Sequence, residues 1–160
     1  MSRLLASDVG CLHFRINVGV AGATVASTAA AIDTILAGQG VERLKYVLIN
    51  LGVNDGSSPN EATWKTNYQY IIDAVHTKWS EAKIYLAKPW KLNCDSTAVT
   101  MAGWIDDLIT ANSGVCYEGH NEYVWLKGAD DGATYTSDGT HYSDAGKAET
   151  VNQWMTALGY

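Results

Sequence analysis

Tyr46-Val47-Leu48-Ile49-Asn50-Leu51, followed by Gly52-Val53-Asn54-Asp55-Gly56, is the stretch whose reading decides the fold. Its first six residues are apolar but for one asparagine, a continuous run rather than an alternation. Such a run suits a parallel strand at the centre of a sheet, covered on both faces. The glycine, asparagine and aspartate that follow turn the chain sharply. Pro59 ends the loop, and a stripe at helical spacing begins.

That stripe, Trp64, Tyr68, Ile71, Ile72, Val75 and Trp79, predicts a helix from about Glu61 to Ser80 that packs on a sheet. Lys83 to Ala87 reads as the next strand, ending in a loop around Pro89-Trp90. A helix from about Val99 to Ala111 follows, with Met101, Ile105, Leu108 and Ile109 inward. Upstream, Phe14 to Val18 reads as a short strand, and Ser27 to Ala37 as an alanine-rich helix closed by Gly38 and Gly40. Val115 to Leu126 reads as a short strand with an irregular continuation, and Gly128 to Thr140 as loop. Ser143 is placed to cap a last helix with Ala148, Val151, Met155 and Leu158 on one face.

Strands alternating with helices imply βαβ units, a parallel sheet and an α/β/α sandwich. Ligands bind such sheets beyond the carboxyl ends of the strands. The loops holding Gly22, Asn54, Trp90, Asp138 and His141 are therefore expected at one edge. With 160 residues, 47% apolar and 18% charged, the chain reads as one domain over 1–160, with 1–12 an atypical N-terminal segment. A net charge of -6 argues against a nucleic-acid partner, and no apolar run is long enough to span a membrane. Met1 to Asp8 lacks the apolar core of a signal peptide, which leaves an exported and a cytoplasmic home both open.

Cys11, Cys94 and Cys116 fit no zinc or redox spacing and allow one disulfide at most, Cys94 with Cys116 if the chain is exported. Buried free thiols are the other reading. His13, His76, His120 and His141 show no ligand-like spacing, and Asp130-Asp131 reads as a solvated turn, so neither metal nor cofactor is expected. Six tryptophans and nine tyrosines against one phenylalanine suit half-wet sites, or simply the margins of a core.

Acyl transfer needs a nucleophile, a base, a group that orients the base, and donors for the oxyanion. His141 can serve as base, and Asp138, three residues earlier, can fix its tautomer. Asn54 offers a side-chain amide and Gly22 a backbone N–H to a developing oxyanion. Each has a plainer explanation as a turn residue.

Together these residues resemble the SGNH (GDSL) hydrolases, serine-dependent esterases and lipases on a flavodoxin-like sheet. Asn17 to Thr24 is similar to the family's second block, Val47 to Asp55 to its third, and Asp138-Gly139-Thr140-His141 to its fifth. The resemblance implies that Gly22 and Asn54 are oxyanion donors, Asp138 the orienter and His141 the base. Tyr142 stands where the family usually has proline. The implied substrate is a small-molecule or carbohydrate ester, such as an acetyl ester, with Trp90, Trp125 and Tyr142 as candidates to line its pocket.

The first block departs from the pattern, because the chain contains no Gly-Asp-Ser. Ser7 is a weak candidate nucleophile, since eight residues between it and Ile16 are too few for a parallel crossover with its helix. The flavodoxin-like sheet is therefore expected with its first strand and helix missing or rearranged. Residues 3–7, or a strand donated by a second copy in a homo-oligomer, could fill the place. An inactive module that binds a carbohydrate, an ester or a partner chain is the alternative to an esterase.

Overall fold

The computed structural model describes residues 17–127 and 133–160. Ser7, Cys11, His13, Asp130 and Asp131, with the expected strand as far as Ile16, lie outside them. The elements run α1 (Val25–Ala37), β1 (Tyr46–Ile49), α2 (Glu61–Lys78), β2 (Lys83–Lys88), α3 (Asp95–Ala111), β3 (Cys116–Asn121), α4 (Glu122–Lys127) and α5 (Asp144–Ala157). The three strands form one parallel sheet in the order β1-β2-β3. This is a mixed α/β fold of the α/β/α kind with a truncated sheet.

Alternation along the strands sorts the side chains into two faces. Ile49, Ile84, Leu86 and Cys116 join the main core with Trp64, Tyr68, Ile71, Ile72 and Val75 of α2 and Met101, Ile105 and Leu108 of α3. The other face carries a row of rings, Tyr46 against Tyr85 at 5.9 Å and Tyr85 against Tyr117 at 5.3 Å. Helix α5 covers part of it, with Trp154 against Gly119 and edge-on to His120 at 4.5 Å. The α2 stripe read from the sequence is buried throughout, Trp79 included. Its helix starts at Asn60, whose side chain accepts from the Thr63 N–H. Helix α1 begins with a capping box between Thr24 and Ser27.

Four expectations can be set against the described residues. The run at 46–51 forms β1, which is the outer one of the three described strands, with Leu48 44% exposed. The middle one of the described strands is β2, buried from Ile84 to Lys88. Two runs of similar apolar content cannot be ordered across a sheet by composition, because lateral order follows from crossovers. Second, Asn17 and Val18 are not strand. The Asn17 side chain accepts from the Gly19 N–H at 3.0 Å, a local turn that competes with a ladder, and Val18 and Val20 are exposed.

Third, Cys94 and Cys116 are both free. Cys94 stands at the start of α3 without a capping hydrogen bond, and Cys116 follows the helix's end. The 17 residues of α3 between them span about 25 Å, far beyond disulfide reach. Fourth, Ala148 of the expected α5 face is exposed, and Val151, Met155 and Leu158 are only half-buried. The contact with the sheet is made instead by Trp154. Beyond β3 the continuation left irregular by the sequence is helix α4.

Candidate active site

The loops after β1 and β2 and the loop before α5 meet at one edge of the sheet. Gly52 opens the first of them with φ 126, and a Cβ there would lie 2.7 Å from Pro89 of the second. Only glycine allows that approach. The turn closes with the Asp55 N–H on the Gly52 carbonyl at 3.0 Å. Both carboxylate oxygens of Asp55 then accept from the Val25 N–H, at 3.2 and 3.1 Å, at the amino end of α1. An anion is favoured in that position, although burial raises the pKa of Asp55.

Asn54 donates from Nδ2 to the carbonyl of Ala23 at 3.1 Å. The structure thus joins Asn54 to the turn that holds Gly22, whose φ is 74. An amide nitrogen carries two hydrogens, so one remains for a ligand. The Gly22 N–H bonds to no described residue, and both positions are exposed.

Asp138 and His141 meet directly. Oδ2 of Asp138 lies 2.7 Å from Nδ1 of His141, while Oδ1 accepts from the N–H groups of His141 at 2.8 Å and Thr140 at 3.0 Å. These bonds, the His141 N–H foremost, hold the Asp138 carboxyl down to about 2. With the carboxylate ionised, Nδ1 carries its proton toward Oδ2, and Nε2 is left as the acceptor. Nε2 bonds to no described residue, and the His141 side chain is 79% exposed. Thr136 and Tyr142 pair across the base of this loop, and the Leu92 N–H donates to the Gly139 carbonyl at 2.8 Å.

Of the pocket candidates, Trp90 is buried, its indole N–H bonded to Asp95 at 2.7 Å. Trp125 and Tyr142 are half-buried and stack on one another at 5.9 Å. A crevice of about 10 Å³ is lined among others by Val53, Pro89, Trp90, Cys94 and Met101. Ser7 falls outside the described residues, and no group of His, Cys, Asp and Glu among those described could hold a metal ion. No described helix is long and apolar enough to cross a membrane.

Sequence reasoning missed Glu122. Its buried carboxylate accepts from Asn50 Nδ2 at 2.6 Å, from the Trp90 N–H at 2.9 Å and from the Tyr142 hydroxyl. The signal was there in the lone asparagine of an otherwise apolar strand. It missed His120 as well, which is buried with Nδ1 accepting from the Trp125 indole at 3.2 Å. Lys88 is a third case, buried between Asp106 at 2.8 Å and Glu118 at 2.7 Å.

No curated protein sequence matches the chain. Among solved structures, one provisionally described as a platelet activating factor from Streptococcus pneumonia superposes with a TM-score of 0.75. It is 19% identical, over 91% of this chain and 72% of that one, a likeness of fold. The sequence profile of the GDSL-like Lipase/Acylhydrolase family matches residues 1–148. A match over most of the chain, with the parallel α/β sheet, decides the matter: the protein belongs to the GDSL-like lipase/acylhydrolase family of hydrolases.

Proposed function

We propose that the protein hydrolyses carboxylic esters of short acyl groups, acetyl esters of carbohydrates among them, with His141 as general base and Asp138 as its orienter. The observation that carries this reading is the 2.7 Å contact between His141 Nδ1 and an Asp138 carboxylate held by two backbone donors. It leaves Nε2 able to take a proton from a serine hydroxyl as the hydroxyl oxygen attacks the ester carbonyl. The same proton then passes to the leaving alkoxide, and water repeats the cycle on the acyl-enzyme. Asn54 and Gly22 donate to the oxyanion of each tetrahedral intermediate, a contribution of about 3 kcal/mol per donor in comparable sites.

The nucleophile is unassigned, with Ser7 the candidate outside the described residues. The open Nε2 of His141 equally suits a module that binds esters or carbohydrates without turning them over. A short-chain nitrophenyl ester separates the two. Turnover that disappears in His141→Ala, with an organophosphate labelling one serine, supports the esterase. Equal slow hydrolysis by both proteins, with no serine labelled, overturns it.

A further inference from the structure

Glu122 lies at the β3–α4 junction, 4% exposed, and its three partners come from three different segments. Asn50 ends the β1 run and stands four residues before Asn54. Trp90 belongs to the loop after β2, the loop whose Leu92 is bonded to Gly139. Tyr142 directly follows His141. We propose that Glu122 is a positioning residue, whose carboxylate fixes the turn of Asn54 and the loop of His141 relative to each other. The inference rests on the reading of Asn54 and His141 as the reacting centre.

The hydrogen-bond inventory supports an ionised carboxylate in this place. Asn50 Nδ2, the Trp90 N–H and the Tyr142 hydroxyl all donate, and a carboxylate only accepts. A protonated Glu122 could give its hydrogen only to the Tyr142 hydroxyl oxygen, and Tyr142 would then stop donating to the carboxyl group. Burial raises the pKa of Glu122, while the three donors oppose that effect. Tyr142 keeps its own proton, because burial and the neighbouring Glu122 charge both raise its pKa. No cation pairs with Glu122 among the described residues, so its charge is held by these donors alone.

Networks of this kind act as units, and weakening one member loosens the rest. The bonds reach the donor turn through Asn50 and the base loop through Tyr142. Glu122 itself forms no hydrogen bond with Asn54 or His141. Its loss should therefore disturb the relative placement of acceptor and donors while leaving each intact.

The test uses Glu122→Gln and Tyr142→Phe in the full chain. Glutamine keeps the shape but faces a donor with a donor, and phenylalanine removes one bond and keeps the ring stack. Expected is a 10- to 100-fold fall in kcat for Glu122→Gln with KM changed less than about threefold. Tyr142→Phe should cause a smaller fall, and the double variant should lose less than the product of the two. Nitrogen–proton spectra supply a readout independent of turnover. The Asn54 side-chain amide and the Gly22 N–H should shift in Glu122→Gln while the amides of Ile72 and Val75 hold still. If Glu122→Gln does not fold, the same shifts are sought in Tyr142→Phe. Shifts confined to Asn50, Trp90 and Tyr142, with kcat within twofold of wild type, would overturn the proposal. A wild type without turnover refutes the esterase reading, and the spectra still decide Glu122.

Discussion

Leu92 and Gly139 close two loops face to face: the Leu92 N–H meets the Gly139 carbonyl at 2.8 Å, and Leu92 Cβ lies 2.4 Å from where a Gly139 Cβ would stand. Gly139 has φ 79, a conformation that also disfavours any side chain. Gly139→Ala is therefore expected to destabilise the protein by about 1–3 kcal/mol and to displace the Asp138–His141 loop. Urea unfolding reads the first effect and ester turnover the second. Unchanged values for both would show that the two loops do not depend on each other.

Asp138 predicts a limb in the acid stability profile. Its pKa is held at about 2, below the ordinary carboxylate value of about 3.9 in the unfolded chain. The stability it contributes is fully present above that unfolded value and is lost as the pH falls toward 2. Asp138→Asn should flatten the limb between about pH 4 and pH 2, seen in unfolding midpoints measured at stepped pH. In the esterase reading the same variant loses turnover roughly 10³–10⁴-fold, because His141 is no longer held in the useful tautomer.

His120 has the opposite sign of charge and the same direction of effect. Burial lowers its pKa from 6.5 to about 4, so the unfolded state binds the proton more readily. Stability is complete above about pH 6.5 and falls as the pH drops through that value toward 4. Between pH 7.5 and pH 5 the loss should be about 2 kcal/mol. Protonation also gives Nδ1 a hydrogen that points at the Trp125 indole N–H, so the two would repel. His120→Phe should remove this dependence, whatever it does to stability at neutral pH. A stability curve of wild-type shape in His120→Phe would assign the acid loss elsewhere.

The two described thiols should react very differently. Cys94 is half-buried at the start of α3, whereas Cys116 is buried and its thiol is pushed up to about 12. A maleimide at pH 8, followed by peptide mapping, should label Cys94 within minutes and Cys116 only after unfolding. A Cys94–Cys116 disulfide peptide in the non-reduced digest would contradict the structure.

Helices with a continuous stripe were the most legible elements, because a side chain every three or four residues repeats its own evidence. The α2 stripe from Trp64 to Trp79 is the plainest case. The Asp138–His141 contact was legible for a related reason: both partners lie within one turn of chain, so their meeting needs no long-range geometry. Asn54 and Gly22, 32 residues apart, meet only through the fold, and the family's blocks supplied what spacing could not. The lateral order of β1 and β2 was illegible because both runs are equally apolar. Glu122 left only an indirect trace, the lone Asn50 of an apolar run, because one acidic residue after a strand looks solvated until Asn50, Trp90 and Tyr142 surround it.

The irregularity in β3 now takes on a meaning of its own. Leu86 faces Glu118 and Lys88 faces Asn121, so one residue of β2 stands opposite two of β3. Side chains in a ladder alternate by odd and even, and the extra residue resets that parity before the chain enters α4. Glu118 is thereby left to Lys88 on one side, while Glu122, an even number of residues later, serves the loops. Deleting one residue at 119–120 would change no side chain named for the chemistry. It would still turn the carboxylate away from all three of its donors. The site is specified by a count as much as by a composition, and sequence comparison that tolerates gaps in β3 would overlook it.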